Sequence, residues 1–290
     1  QATQQKILTV LADLEDNSGL TETQTQAVFI QAEPAVTLAE VNPFGIKDRL
    51  GVGTSTYFGS IAGRVHNVGL TSNKLHGTLV APGDDFSFNQ TIGEVSAATG
   101  YQSAYIIKDG RTVLGDGGGV CQVSSTLFRA AMDAGLPIVE RHAHAYRVGY
   151  YEQRSNGGRD SNLAGLDATV YVPLVDFKFT NDTPYWLLME TYLRGYTLTW
   201  KFYSTSDGRS VEWDTSGVTN VQPPPEPLYR ENPELSAGTI KQVDWAVEGA
   251  SVFVTRNVYR GGALYFNDSF TTHYIPWQAI YEYGPGTDVP

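Results

Sequence analysis

Hydrophobic and polar residues recur with two different periods along the chain, and each change of period marks an element. A period near 3.6 predicts helices over residues 4–15, about 63–77 and 121–134. The third helix begins at Cys121, and Gly135 and Pro137 end it. Its apolar positions share one face, so we expect this helix to pack on a sheet.

Alternation with a period of two predicts strands through most of the remaining chain. The segment LPIVERHAHAYRVGYY is predicted to be one strand, with Ile138, Glu140, His142 and His144 on one face and Arg141 on the other. Other strands are predicted from the stretches FSFN, YIIK, RTVL, DATVYVPLVDFKFTN, PYWLLMETYL and YTLTWKFYS.

These elements indicate an α+β fold in which a central helix packs on an antiparallel sheet and a small all-β module follows. The chain divides into a partial N-terminal segment (1–50), a main domain (51–205), a Pro-rich linker (206–227) and the β module (228–290). The evidence for the linker is the stretch QPPPEP, which favours a polyproline conformation. Residues 152–165 are polar and Gly-rich, which indicates a long loop that is either a lid or an insertion with no role.

Composition narrows the classes of function. A net charge of −11 makes nucleic acid and anionic membranes poor partners. The chain has no apolar run of about 18 residues and no signal peptide. Because it starts at Gln1 rather than Met, we expect a processed or trimmed product of a longer protein.

The one cysteine excludes an internal disulfide and an all-cysteine zinc site. Cys121 is expected in the first turn of its helix, where the helix dipole and free amides favour a thiolate. Gly117, Gly118 and Gly119 precede it and leave the backbone open to a substrate carbonyl, with amides for an oxyanion. Side chains expected to add donors are Ser124 and Ser125. The alternative is a small, buried and inert thiol.

Two histidines and an aspartate are candidate partners of the thiol. His142 or His144 is expected to act as the base, and Asp167 to orient it as the third member of a triad. Arg141, on the opposite face, is expected to pair with an acidic residue in the body of the domain. A further alternative is zinc bound by Cys121 and both histidines, with one open coordination position.

The motifs PGDDFSFN, TGYQSAYII, GGGVCQVSSTLF, ERHAHAYRV and LDATV occur in the order and spacing of the VanW domain, and residues 58–180 resemble that family. Residues 208–286 are similar to the G-five β-module of bacterial surface proteins. The first residues resemble the end of a peptidoglycan-binding-like domain.

The resemblance implies an extracellular protein of the bacterial cell envelope, with peptidoglycan stem peptides as partners. It also implies a cysteine-dependent L,D-transpeptidase or carboxypeptidase without a metal or other cofactor. We expect contact with a membrane only if a missing N-terminal segment supplies a tether. Cys121 would be the nucleophile, His142 or His144 the base, and the three glycines part of the acyl pocket. Candidate substrate-binding residues also include Tyr101, Gln122, Ser124, Ser125 and Arg141. The competing hypothesis is a non-catalytic module that binds the cell wall.

Overall fold

The structure is a computed structural model that describes residues 44–108, 111–154 and 156–290. The predicted helix over residues 4–15 and most of the peptidoglycan-binding-like segment (1–50) lie outside the described residues, whereas residues 48–50 of that segment belong to the first strand of the main sheet. Residues 44–290 form one compact unit of helices and mostly antiparallel sheets, so the predicted α+β class is confirmed.

The described residues hold three α-helices and sixteen strands, joined by short 3-10 turns at Ala97–Thr99, Gly149–Glu152 and Ser161–Leu163. The helices are α1 (Ala62–Leu75), α2 (Phe88–Ile92) and α3 (Val120–Asp133). The strands are β1 (Asp48–Thr56), β2 (Thr78–Val80), β3 (Asp85–Ser87), β4 (Ser103–Lys108), β5 (Arg111–Asp116), β6 (Ile138–Glu140), β7 (Lys178–Thr180), β8 (Leu187–Arg194), β9 (Thr197–Ser204), β10 (Arg209–Thr215), β11 (Thr219–Gln222), β12 (Leu228–Glu231), β13 (Ile240–Asp244), β14 (Gly249–Arg260), β15 (Ala263–Tyr274) and β16 (Ile280–Tyr283).

The central helix α3 packs directly on the sheet of order β1-β9-β8-β2. Two glycines of β1 permit the contact, because a Cβ on Gly53 would lie 2.1 Å from the Thr126 carbonyl oxygen and one on Gly51 would lie 2.5 Å from the Ala134 nitrogen. The backbones of β1 and α3 are therefore in direct contact. The hydroxyls of Ser55 and Thr126 lie 2.5 Å apart across the same contact. This close packing fixes the position of the first turn of α3.

Two stretches depart from the predicted strands for local reasons. FSFN forms a strand only as far as Ser87, whose hydroxyl accepts the Gln90 amide and begins α2. The segment from Leu136 to Tyr151 is a strand only over β6, and then irregular backbone turns His142 outward and His144 inward. The two histidines therefore do not share a face.

Most of the predicted linker over residues 206–227 instead forms strands β10 and β11, and residues 223–227 connect β11 to β12. Strands β10 and β11 both pair with β14, which also pairs with β15, while β12, β16 and β13 form a second sheet. We call strands β10–β16 the C-terminal module. Val252, Val254 and Tyr274 of this module belong to the same buried core as α3, so the module and the preceding domain share one core.

Arg256 of β14 joins the C-terminal module to the end of α3. Its side chain is 0% exposed and donates to the carbonyl oxygens of Ala131, Met132 and Leu136 at 3.0–3.4 Å. It also pairs with Asp268 at 2.5 Å. A cation is favoured here because the last carbonyls of a helix lack intrahelical partners and carry partial negative charge.

We expect Arg256→Met to lower the free energy of unfolding by about 2–4 kcal/mol, since it leaves buried carbonyls without a donor and Asp268 without its cation. The melting temperature should fall by roughly 5–15 °C. Arg194→Met, at an exposed arginine of β8, is the matched control and should change stability by at most about 0.5 kcal/mol. Equal melting temperatures for the two variants would contradict this role of Arg256.

Candidate functional site

Cys121 is the second residue of α3, and its sulfur is half-buried at the floor of a cavity. The Sγ atom lies 3.5 Å from the Thr169 hydroxyl and 3.5 Å from the Val170 carbonyl oxygen. The imidazole of His144 lines the same cavity. The thiol is therefore not sealed among hydrocarbon side chains, as an inert cysteine would be.

His144 is buried between Cys121 and Asp167. Its Nδ1 lies 2.5 Å from Asp167 Oδ2, and the same oxygen accepts the His144 backbone amide at 2.8 Å. Because Nδ1 is hydrogen-bonded to Asp167, Nε2 is the nitrogen available to the thiol. The Tyr151 hydroxyl lies 3.5 Å from the same Nε2 atom. The structure thus brings Cys121, His144 and Asp167 together as a triad.

The charges of the triad support one another. Burial disfavours the imidazolium, but the hydrogen bond and charge of Asp167, with the hydrogen bond of Cys121, raise the pKa of His144 to about 10. Burial also favours the neutral thiol, but the hydrogen bond and charge of His144 outweigh it and lower the pKa of Cys121. The favoured state is a thiolate beside an imidazolium, as a nucleophilic cysteine requires.

Asp167 is 2% exposed, and donors from several segments hold it as a carboxylate. Its Oδ1 accepts a hydrogen bond of 2.5 Å from the Tyr274 hydroxyl and lies 3.4 Å from Arg141 Nη2. Burial raises the pKa of Asp167, but these donors and His144 hold that pKa well below its usual value. Tyr274 ends β15, so the C-terminal module supplies part of the support for the triad.

The cavity over the thiol has a volume of about 740 Å³. One wall is the β4–β5 hairpin, another is the stretch from Thr169 to Val172, and Tyr150 and Tyr151 form a third. Gly117, Gly118, Gly119, Cys121 and His144 line it together with Arg64. Tyr105 and Leu114 of the hairpin and Tyr171 opposite them are exposed apolar side chains at the cavity. Such a cavity is large enough for a peptide segment.

The three glycines are required for steric reasons that the sequence did not indicate. Gly117 and Gly119 have φ angles of +88° and +113°, which other residues rarely adopt. A Cβ on Gly118 would lie 2.6 Å from the Tyr105 carbonyl oxygen, and one on Gly117 would lie 2.3 Å from Val95 Cγ1. The glycines therefore let the loop turn into α3 under the hairpin, while their backbone still lines the cavity.

One amide at the start of α3 remains without an acceptor among the described residues. The Val120 amide donates to Gly117 O and the Gln122 amide donates to Gly119 O, both at 3.0 Å. The Cys121 amide between them has no such partner. An amide next to the nucleophilic atom is a suitable donor to an oxyanion that forms on a substrate carbonyl.

Several predicted site residues have structural roles. Gln122, Ser124 and Ser125 are fully buried, and their side chains donate to Ser55 and to the Ala168 carbonyl oxygen instead of facing the cavity. Tyr101 is buried against α1, where its hydroxyl meets Thr71. None of the four lines the cavity, so the expectation that they bind substrate is corrected.

Arg141 and His142 also lie away from the cavity. Arg141 donates to Gly165 O, Asp167 O and the Thr272 hydroxyl, so it braces the triad as a partner of Asp167 and does not contact substrate. The His142 side chain is 52% exposed, and its Nε2 lies 3.2 Å from Glu140. His144 is therefore the base candidate, and the zinc hypothesis loses one of its three ligands. The described residues contain no group of three or more ligands suited to a metal.

Four residues of the site were missed in the sequence. Tyr151 and Thr169 lie in segments that are predicted as strand, and no sequence pattern indicates that either residue contacts Cys121 or His144. Arg64 was within a predicted helix, and Tyr274 belongs to a module expected to be separate. Among the described residues, no helix is long and apolar enough to cross a membrane.

Comparison with known proteins places the site within one family region. Residues 63–203 match the family model described as VanW like protein. A protein of Bacillus subtilis, "Uncharacterized protein YoaR", is 42% identical over 127 residues, which are 43% of this chain and 38% of that protein. The "Vancomycin B-type resistance protein VanW" of Enterococcus faecalis is 31% identical over 120 residues, or 41% of this chain and 42% of that protein. The chain thus spans less than half the length of either relative.

A solved structure, "IgA1 Protease G5 domain structure", aligns with this chain at 19% sequence identity and a TM-score of 0.17. The alignment covers 26% of this chain and 90% of the solved chain. The family-model match over residues 63–203 agrees with the resemblance to the VanW family that the sequence motifs indicate.

We expect the Cys121 thiol to react with iodoacetamide below the pH at which an ordinary cysteine does, because His144 stabilises the thiolate. Asp167→Asn removes the charge that raises the pKa of His144. The imidazolium is then lost at lower pH, and the pKa of Cys121 should rise by about 1–3 units. The measurement is the alkylation rate of both proteins as a function of pH. His142→Ala is the control and should keep the wild-type profile; coincident profiles for Asp167→Asn and wild type would exclude the triad.

Tyr274→Phe removes one hydrogen bond to the charged form of Asp167, so the pKa of this carboxyl should rise. The acid-unfolding transition, in which Asp167 takes up a proton, should then move to higher pH, because a carboxyl with a low pKa in the folded state stabilises the fold only while it is ionised. The alkylation rate near neutral pH should stay within about twofold of wild type. Tyr265→Phe on the same strand is the control and should leave the transition in place. An unchanged acid-unfolding transition in Tyr274→Phe would contradict this role of Tyr274.

Proposed function

Since the chain contains a VanW-family domain over residues 63–203, we propose that it is a cell-wall enzyme that transfers peptide acyl groups of peptidoglycan through a thioester on Cys121. The observation that carries the proposal is the buried Asp167–His144 pair beside a half-buried thiol at a helix N-terminus, open to a cavity of about 740 Å³. The VanW relative, which is named for vancomycin resistance, supports a role at the cell wall.

The first half-reaction acylates the enzyme. The Cys121 thiolate attacks the carbonyl carbon before the terminal residue of a stem peptide, and the new oxyanion accepts a hydrogen bond from the Cys121 amide. As the C–N bond breaks, the His144 imidazolium gives its Nε2 proton to the leaving amine. The terminal amino acid departs, and the acyl group stays on Cys121 as a thioester.

The second half-reaction restores the enzyme. The amine of a neighbouring stem peptide attacks the thioester carbonyl, and neutral His144 removes a proton from that amine. The C–S bond then breaks, which leaves a new amide and regenerates the thiolate beside an imidazolium. Water in place of the amine gives a free carboxylate, so the same site would act as a carboxypeptidase.

Asp167 keeps the imidazole of His144 in one orientation and tautomer through both steps, because its Oδ2 accepts from Nδ1. The Tyr151 ring packs against the imidazole, with ring centroids 4.9 Å apart. Every step is carried by side chains and amides of this chain. The setting that we propose is the extracellular face of a bacterial cell, with stem peptides as partners.

A non-catalytic wall-binding module would need an inert thiol. Neither the ion pair of Asp167 with His144 nor the depressed pKa of Cys121 has a purpose in such a module, because burying charges destabilises a fold unless they are well paired. We therefore favour the enzyme, and adhesion to the wall would be a role of the exposed strands of the C-terminal module.

The test is incubation of the purified protein with disaccharide-tetrapeptides, followed by mass spectrometry of released amino acid, peptide dimers and acylated protein. Cys121→Ala should lower the rate by at least about 10³-fold and His144→Ala by about 10²–10⁴-fold. His142→Ala is the matched control, because this exposed imidazole lies away from the cavity, and it should stay within about twofold of wild type. A Cys121→Ala protein with the native rate would disprove the mechanism.

A further inference from the structure

Arg64 is a cavity-lining cation that the proposed mechanism does not use. It lies in the first turn of α1, half-buried, and lines the cavity above Cys121. Its Nη1 donates to the Ser60 hydroxyl at 2.6 Å, and its Nη2 donates to Gln122 Oε1 at 2.8 Å. Both acceptors are neutral, and Arg64 forms no ion pair with a carboxylate of the described chain.

Several arginines that are buried to a similar or greater extent have an acidic partner: Arg141 pairs with Asp167, Arg147 with Glu152 and Arg256 with Asp268. The buried Arg129 has no such ion pair, but its three nitrogens each donate to a backbone carbonyl oxygen. Arg64 differs from both groups, because within the described chain its guanidinium donates to two neutral side chains and it lines the cavity that holds Cys121. A guanidinium in that position is suited to a carboxylate from a ligand, which it can bind through two parallel N–H donors.

The side chain is held in place before any ligand arrives. Its guanidinium lies 4.6 Å from the centre of the Tyr150 ring, which supports one face. Gln122, which accepts from Nη2, is itself fixed because its Nε2 donates to the Ser55 hydroxyl at 2.6 Å. Little conformational freedom is left to lose on binding, which favours affinity.

The same contacts place Arg64 beside the triad. Gln122 follows Cys121 directly in α3, and Tyr150 precedes Tyr151, whose hydroxyl meets His144. Apart from Arg64 and the triad members Cys121 and His144, the charged side chain among the described lining residues is Asp116, which is exposed at the hairpin and accepts a hydrogen bond from the Ala97 amide at 2.8 Å. Arg64 is therefore the cation of the lining that does not belong to the triad.

We propose that Arg64 binds the terminal carboxylate of the acyl-donor peptide, so that the substrate class is peptides with a free C-terminal carboxylate one residue beyond the scissile bond. The identity of the substrate in this inference rests on the proposed acyl transfer, whereas the carboxylate binding rests on the contacts of Arg64. The carboxylate leaves with the departing residue, which frees the guanidinium before the acceptor amine enters.

The first experiment needs no turnover. Cys121 is alkylated with N-iodoacetylglycine and with N-iodoacetylglycinamide, two probes that share the reactive carbon and differ only in a terminal carboxylate. In the wild-type protein the ratio of the acid rate to the amide rate should be at least about tenfold higher than in Arg64→Gln, as expected for a charged hydrogen bond. Arg64→Lys keeps the positive charge but lacks the two parallel N–H donors of a guanidinium, so it should give an intermediate ratio.

Arg49→Gln is the control for net charge, since Arg49 is an exposed arginine of β1. It should keep the wild-type ratio. A general change in thiol reactivity in Arg64→Gln affects both probes equally and cancels in the ratio. The proposal is overturned if wild type and Arg64→Gln give the same ratio.

The second experiment uses stem tetrapeptides with a free or an amidated C-terminus. Wild-type kcat/KM should favour the free acid, and Arg64→Gln should remove that preference. The two experiments separate the hypotheses: an Arg64-dependent probe ratio without any turnover would refute the proposed enzyme but retain the carboxylate site. Turnover that is equally fast for acid and amide would retain the enzyme and refute the site.

Discussion

The buried carboxylate of Asp167 is the constraint on which this structure depends. A charge that is 2% exposed is tolerated only when its lone pairs are satisfied, and here the donors are His144, Tyr274 and Arg141. These donors come from the segment after β6 and from the end of β15. Folding must bring both segments to Asp167, and the same charge then makes the His144 imidazole basic and the Cys121 thiol acidic.

The helix that carries the thiol is positioned with equal strictness. Gly51 and Gly53 let α3 lie directly on β1, and Gly118 lets the preceding loop pass under the hairpin. Arg256 holds the other end of α3 through its last carbonyl oxygens. Because backbone contacts at both ends cannot be adjusted by a change of rotamer, the sulfur has a fixed location relative to His144 and the cavity. Such preorganisation is what nucleophilic catalysis requires.

The C-terminal module is therefore more than an appended domain. The VanW-like region ends at residue 203, but Thr272 and Tyr274 support the triad and Arg256 caps its helix. The buried core is continuous across this boundary. The two parts of the chain are one unit in which the second part maintains the electrostatics of the first.

The sequence alone determined the α+β class, the helix over Val120–Asp133 and the position of Cys121 in its first turn, because these follow from periodicity and from glycine and proline at the ends. It also identified Asp167 as a possible orienter. It could not choose between His142 and His144, because alternation assumes a regular strand and the backbone leaves β6 before either residue. Tertiary structure alone decided the roles of Tyr274 and Arg64, which lie 107 and 57 positions from Asp167 and Cys121 in the chain. The physical reason is that a buried charge selects its partners by distance in space, and local sequence patterns do not record that distance.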